Sequence, residues 1–253
     1  MGMTMWRKAI VFFLLAVILA SFVYLGWNVW ITRTGAHLIF RMTTTDWHNE
    51  NTIDQLVKDF KPRYDHFLYS ALKSPDFRER LRAAYILARQ GKKEPVAVLA
   101  AGLKEDDWRQ NRMATDLLWS LWFNQAGIDS REILHNCQDL MSQKKYEEAI
   151  VKLTKLSRRK PQFAEVYNQR ALAYFLKGDY ERSITDCKNA LELNPIHFGA
   201  QSGMGECYMK LKKWELAREA LEKAIKITPH ASGTQDLLEA VNAVLLRRNK
   251  RIA

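Results

Sequence analysis

Hydrophobic and small residues between positions 130 and 229 recur with a period of 34 residues. Six sets of equivalent positions keep a similar character through three successive copies. These sets are Pro161, Pro195 and Pro229; Ala149, Ser183 and Ala217; Cys137, Ala171 and Gly205; Leu140, Tyr174 and Tyr208; Tyr146, Tyr180 and Trp214; and Leu156, Ala190 and Ala224. A fixed period of this length indicates an array of repeated structural units.

Each copy predicts two helices joined by a short turn. In the middle copy the helical patterns cover residues 166–177 and 180–193, and Gly178-Asp179 separates them. Glycine is favoured at the left-handed position that closes a helix, and aspartate is favoured as the cap of the next helix. The proline at the end of each copy stops the second helix, because it lacks an amide hydrogen and clashes with the preceding turn.

The pattern resembles the tetratricopeptide repeat (TPR), a helix–turn–helix unit of the same length. In the middle copy the positions that match the family signature are Tyr167, Ala171, Tyr174, Ser183, Ala190 and Pro195. The third copy matches it through Gly205, Tyr208, Ala217, Ala224 and Pro229. The first copy is degenerate but keeps Tyr146, Ala149 and Pro161. We expect three repeats, at residues 130–163, 164–197 and 198–229.

The segment before the repeats, residues 51–128, is predicted to be helical. It contains a second internal sequence repeat. Residues 72–77 (LKSPDF) are similar to residues 103–108 (LKEDDW), and an arginine-bearing helix follows each. This pattern is similar to HEAT-type helical repeats, in which a turn aspartate can pair with a helix arginine of the neighbouring unit. A plain helical adaptor is the alternative. The predicted fold is therefore all-α, an α-solenoid of HEAT-like and then TPR units.

The N-terminal region predicts a membrane anchor. Residues 9–31 carry no charge, and at ~1.5 Å per helical residue they cross a ~30 Å hydrocarbon core. A basic tip, residues 1–8, precedes this run, and a polar linker, residues 32–50, follows it. We expect an uncleaved, single-pass transmembrane helix in a bacterial inner membrane, with the body outside the cytoplasm. A cleaved signal peptide is the alternative.

The C-terminal region predicts a capping helix at residues 232–249 and a basic tail at residues 250–253. Leu237, Leu238, Val241 and Leu245 lie on one face of this helix, which suits the open end of a repeat array. A helix that binds a partner is the alternative.

The chain is basic, with 39 Lys and Arg against 28 Asp and Glu, a net charge of +11. Such an excess can attract nucleic acid or an anionic membrane surface. The three cysteines show no CxxC spacing and are expected to be buried thiols, although Cys187 and Cys207 are near enough in the repeats for a disulfide. The sequence contains no catalytic or phosphate-binding motif. We expect neither an enzyme nor a cofactor.

The TPR resemblance implies a groove lined by the first helix of each repeat. The candidate groove residues are His135, Gln138, Met141, Glu165, Asn168, Gln169, Phe175, His197, Ser202, Glu206 and Met209. Leu172, Gly199 and Gly203 fall on the same helices. Glu165 and Glu206 would repel the peptide carboxylate that chaperone-type TPR proteins clamp. Met141, Phe175 and Met209 suggest an apolar strip, although all three could be packing residues.

These features predict a membrane-anchored scaffold or assembly factor that binds a peptide or helix of another protein in its groove. The alternative is a basic protein that binds nucleic acid or an anionic membrane surface. Binding to nucleic acid or to an anionic membrane surface predicts a continuous positive face and an affinity that falls steeply as the salt concentration rises. We favour the first, because the lysines of the repeats are interleaved with acidic residues.

Overall fold

The structure is a computed structural model of the 253-residue chain, and it describes residues 34–47 and 49–252. The chain divides into two compact units, one ending at Leu87 and the other beginning at Ala88. The two units are described in turn.

The first unit packs short helices around one hydrophobic core. Its helices are α1 (residues 34–44), α2 (Glu50–Asp59), α3 (Asp65–Ala71) and the start of α4 (Phe77–Arg89), with a 3-10 turn at Pro62–Tyr64. The Asn49 side chain caps α2 by accepting hydrogen bonds from the amides of Asn51 and Thr52. Met42, Leu56 and Phe60 are at most 1% exposed and pack together in this core.

The second unit contains the repeats. Its helices are α5 (Val96–Gly102), α6 (Trp108–Asn124), α7 (Ile128–Ser142), α8 (Tyr146–Arg159), α9 (Ala164–Lys177), α10 (Tyr180–Leu193), α11 (Phe198–Lys210), α12 (Trp214–Ile227) and α13 (Ser232–Ile252). Helices α7 to α12 form three successive helix–turn–helix pairs, including the degenerate first copy. The all-helical repeat fold predicted from the 34-residue period is confirmed.

Small residues allow the two helices of a repeat to approach closely. The hydroxyl of Ser183 on α10 donates a 2.8 Å hydrogen bond to the carbonyl of Ala171 on α9. Gly178 has φ +90° and closes α9 in the left-handed conformation, and the Asp179 carboxylate caps α10 by accepting from the Arg182 amide. The turn predicted from Gly178-Asp179 is therefore confirmed.

Helix α13 covers the end of the array. Val241 and Leu245 are buried against Ala217 and Leu221 of α12. Without α13, the apolar face of the last repeat would be exposed to water.

The helical character of residues 51–128 is also confirmed. The two copies of its internal sequence repeat have the same hydrogen bond at the start of a helix. Asp76 accepts a hydrogen bond from the amide of Arg78, and Asp107 accepts one from the amide of Arg109. Each turn aspartate therefore pairs with the arginine two residues later in its own helix. The resemblance to HEAT-type repeats stays a prediction.

The predicted membrane localisation needs correction. Within residues 34–47 and 49–252, no helix combines the length and apolar character needed to cross a membrane. This finding contradicts the single-pass localisation expected from the sequence. The apolar run at residues 9–31, on which that expectation depended, lies outside the described residues.

Candidate functional site

The first helices of the three repeats, α7, α9 and α11, lie side by side and form what we call the inner face. Helix α6 lies on this face. It packs against α7 and α9, and its Trp119 and Trp122 reach the start of α11. The groove predicted from the repeats is thus partly covered by a helix of the same chain.

Four aromatic rings join α6 to the start of α11. Trp122 stacks on His197 with ring centroids 4.4 Å apart and also contacts Phe198 at 5.0 Å. Trp119 meets Phe198 edge-on at 5.1 Å. A Cβ on Gly199 would come within 2.5 Å of the Trp119 ring, so this glycine permits the contact.

A buried hydrogen-bond network lies below these rings. His197 and Glu165 are both 0% exposed, and His197 Nε2 is 2.9 Å from Glu165 Oε2. His197 Nδ1 accepts a hydrogen bond from the Ala200 amide, which assigns the ring proton to Nε2. The neutral imidazole therefore donates to the Glu165 carboxylate and links α9 to the cap of α11.

Glu165 also orders the polar residues of α9. Its Oε1 accepts hydrogen bonds from Asn168 Nδ2 at 3.1 Å and from Gln169 Nε2 at 2.7 Å. The other amide atom of Gln169, Oε1, is buried and has no hydrogen-bond partner within residues 34–47 and 49–252. Because buried polar atoms are normally paired, this acceptor has an unmet hydrogen-bonding requirement.

A pocket of about 210 Å³ opens between α6, α9, α10 and α11. Its walls are mainly apolar, and Trp119, Leu172 and Phe175 are the large side chains. Asn168, Gln169, Ser183 and Glu206 supply its polar side chains, and Gly203 leaves room at the edge of α11. Burial raises the pKa of the Glu206 carboxyl group, although the positive charge of Lys210 partly opposes this shift.

The pocket brings together Asn168, Gln169, Phe175 and Glu206 from the predicted groove residues. Glu165, His197 and Met141 are buried, at 0%, 0% and 6% exposure, so they support the fold rather than offer surface to a ligand. This placement corrects the expectation that these three line an open groove.

The remaining candidates lie elsewhere. Met209 packs against the α12–α13 cluster, so the expected apolar strip reduces to Phe175. Ser202 lies in a separate cavity of about 430 Å³ with Trp108 and Phe198. His135 is exposed beside Phe123, and Gln138 is half-buried. The sequence did not indicate Trp119 as a pocket residue, because the aromatic run that contains it is also explained by burial between helices.

All three cysteines are buried free thiols. Burial raises the pKa of the Cys137 thiol to about 11 and that of Cys187, which lines the pocket, further still. The Cys207 thiol lies 3.1 Å from the Ser183 hydroxyl. The thiol form of all three is favoured near neutral pH, so none is an activated nucleophile.

Arg170 occupies a position where a large apolar residue is usual in the repeat. Its Nε and Nη2 atoms donate to the two carboxylate oxygens of Asp186 at 2.7 and 2.8 Å. Nη1 donates to Ser157 of the preceding repeat. The pair with Asp186 joins the two helices of one repeat, and the bond to Ser157 ties α9 to the preceding repeat.

Comparison with known families agrees with the geometry. Residues 164–197 match one model of the tetratricopeptide repeat, and residues 199–231 match a second. These two segments are therefore tetratricopeptide repeats, and the chain contains a TPR region with the helix pairs α9–α10 and α11–α12.

Several curated proteins are similar to this region. A TPR repeat-containing protein of Rhizobium etli is 37% identical over 70 residues, which cover 28% of this chain and 34% of that protein. The Hsp70-Hsp90 organizing protein of Triticum aestivum is 29% identical over 44% of this chain and 19% of its own length. The human SGT1 homolog is 31% identical over 39% of this chain and 27% of its own length. The chain thus spans about a third or less of these relatives.

Solved TPR domains also resemble the chain. The first TPR of Spaghetti (RPAP3), bound to the HSP90 peptide SRMEEVD, is 26% identical with a TM-score of 0.44, covering 45% of this chain and 90% of that one. The Sgt2 TPR domain of Aspergillus fumigatus is 23% identical with a TM-score of 0.47. The match covers 48% of this chain and 82% of that domain.

Proposed function

We propose that this protein is a protein-interaction scaffold that holds an extended segment of a partner protein on its inner face. The pocket between α6, α9 and α11 is the observation that carries this proposal. It combines half-exposed aromatic walls with polar groups that are not fully paired, which is the usual composition of a recognition site.

The size of the pocket favours side chains of an extended segment over a whole helix. At about 210 Å³ it lies below the usual ~300–1,000 Å³ of drug-sized ligand sites and suits one long side chain. Helix α6 already covers part of the inner face, so an incoming segment would lie along the edge of α6 and insert a side chain beside Trp119.

The curated relatives support a protein partner. One of them is named as the organizing protein of Hsp70 and Hsp90, which are themselves proteins. A role in assembling other proteins is consistent with an array of helix pairs, because such arrays present an extended surface.

The proposal is tested with a displayed library of random peptides and the full chain. Peptides selected by the wild type are labelled, and their affinities are measured by fluorescence anisotropy for the wild type, Gly203→Leu and Gly233→Leu. A Cβ at residue 203 meets only the Cys187 sulfur, 4.0 Å away, so a side chain can begin there without a clash, and leucine adds bulk to the pocket lining. A Cβ at residue 233, the matched control, meets nothing within 4 Å and lies outside the pocket.

We expect Gly203→Leu to weaken binding by about tenfold or more, because loss of one well-filled pocket costs ~1.4 kcal/mol or more. Gly233→Leu should bind as the wild type does. Circular dichroism of both variants checks that the helices remain. Equal binding by all three proteins would exclude the pocket as the recognition site.

A further inference from the structure

Two of the polar side chains in the pocket, those of Gln169 and Glu206, carry hydrogen-bond acceptors. Gln169 is 4% exposed, and its amide NH₂ is already donated to Glu165. Its Oε1 atom is buried and finds no hydrogen-bond partner among the described residues. Only a donor can satisfy this atom, and a charged N–H donor would do so best.

Glu206 adds negative charge to the same pocket. Its carboxyl group is half-buried, and this burial raises its pKa. Lys210, one helical turn further along α11, is exposed and exerts only a partial opposing effect. Among the described residues that line the pocket, none is a lysine or an arginine.

The other described side chains that line the pocket carry no positive charge that would neutralise Glu206. From α10 the pocket receives Cys187, whose raised pKa keeps it a neutral thiol. From α9 and α6 it receives the uncharged side chains of Asn168, Leu172, Phe175 and Trp119. Glu165, which accepts hydrogen bonds from the pocket residues Asn168 and Gln169, also accepts one from His197 Nε2, so none of these three groups supplies a cation to the pocket.

The apolar walls suit the stem of a long cationic side chain. Trp119 and Phe175 offer aromatic surface, along which a lysine or arginine side chain can bury its methylene groups. Aromatic faces also attract the cation itself.

We propose that this pocket binds the side chain of a lysine or arginine from the partner segment. This inference rests on the proposed function and adds the chemical class of the residue that is recognised. The ammonium or guanidinium group pairs with Glu206 in the pocket that Gln169 also lines, and its stem lies against Trp119 and Phe175. The site therefore prefers a basic segment and disfavours a carboxylate, although the chain as a whole carries a net charge of +11.

The test uses the full chain and a displayed library of random peptides, and the bound pool is sequenced. The proteins compared are the wild type, Glu206→Gln, Gly203→Leu and Glu222→Gln. Glu222 is exposed on α12, so its substitution removes the same charge outside the pocket and serves as the control. The acidic peptide SRMEEVD serves as a probe of the opposite charge.

We expect lysine or arginine to be enriched at one peptide position for the wild type and for Glu222→Gln. In the best selected peptide, replacing that basic residue with norleucine should weaken wild-type binding by about tenfold or more. The same replacement should have little effect on Glu206→Gln, because the charge it pairs with is already absent. The wild type should not bind SRMEEVD more tightly than the selected basic peptide.

Other results overturn the inference in distinguishable ways. If the selected peptides depend on Gly203 but show no basic preference, the cationic ligand is wrong and the proposed function stands. If the basic preference survives Glu206→Gln unchanged, it arises outside this pocket. If no selected peptide is affected by Gly203→Leu, the proposed function fails and the inference fails with it.

Discussion

At the residue scale, the turns inside the three repeats place one residue in the left-handed region of backbone conformation. These residues are Lys144, Gly178 and Lys212, with φ of 62°, 90° and 58°. They are separated by the 34-residue period. The left-handed backbone conformation is therefore the same in all three turns, although the residue type is not. A residue with a Cβ pays ~1–2 kcal/mol in this conformation, and glycine does not.

We therefore expect Lys212→Gly to raise the free energy of unfolding of the full chain. The gain should be about 0.5–1 kcal/mol, because the relieved strain is partly offset by the greater freedom of glycine in the unfolded chain. Urea denaturation followed by circular dichroism measures it. The control is Lys188→Gly, at an exposed interior position of α10, which should lower the stability by about 1 kcal/mol. A lower free energy of unfolding in both variants would show that the backbone at residue 212 is not strained.

At the element scale, α13 stabilises the last repeat through one face only. Val241 is 0% exposed against Ala217 and Leu221, whereas Leu246 on the same helix is 62% exposed. The two residues carry side chains of similar character, so their different burial separates the effect of packing from that of composition.

We expect Val241→Asp to detach α13 from α12, because a carboxylate cannot remain charged in this apolar contact. The free energy of unfolding should fall by about 3 kcal/mol, the upper part of the usual range for one substitution. Amide hydrogen exchange in α12 should rise, as the newly exposed helix opens locally. Leu246→Asp, the control, should leave both measurements nearly unchanged, and equal effects from the two variants would contradict the capping role.

At the scale of the whole molecule, α6 connects the helices before the repeats to the repeats themselves within the second unit. Trp122 is 4% exposed and stacks on the buried His197, while Trp108 at the other end of α6 is 69% exposed. The inner face therefore depends on a helix that lies outside the 34-residue period.

We expect Trp122→Ala to lower the free energy of unfolding by about 3–5 kcal/mol, as for other large buried aromatic residues. Hydrogen exchange should also accelerate at the start of α11, where Trp122 covers His197. Trp108→Ala, on the same helix, should change stability little. If hydrogen exchange at α11 were the same in both variants, α6 would not hold the inner face in the folded protein.

The local features of the fold could be predicted from the sequence because they depend on nearby residues or on the repeat period. The Gly178-Asp179 turn follows from the backbone preferences of two residues. The pairing of helices follows from small and aromatic residues that recur at fixed positions. The apolar face of α13 likewise predicted which of its residues are buried.

The candidate site could be predicted only in part. The period placed Asn168, Gln169, Phe175 and Glu206 on the correct helices, and all four line the pocket. It also placed Glu165 and His197 there, because periodicity indicates a helix face but not the partner that covers it. These two residues are 32 positions apart, and their hydrogen bond depends on how α9 and α11 pack.

The sequence by itself determined the repeated helix pairs, their turns and the helix that caps them, since short-range backbone preferences and a regular hydrophobic pattern decide these. Only the tertiary structure decided that α6 lies on the inner face and that Trp119 forms a wall of the pocket. It also decided that Gln169 and Glu206 line the same pocket. These features arise from contacts between residues far apart in the chain, outside any shared period, so their positions depend on the packing of the complete helical array.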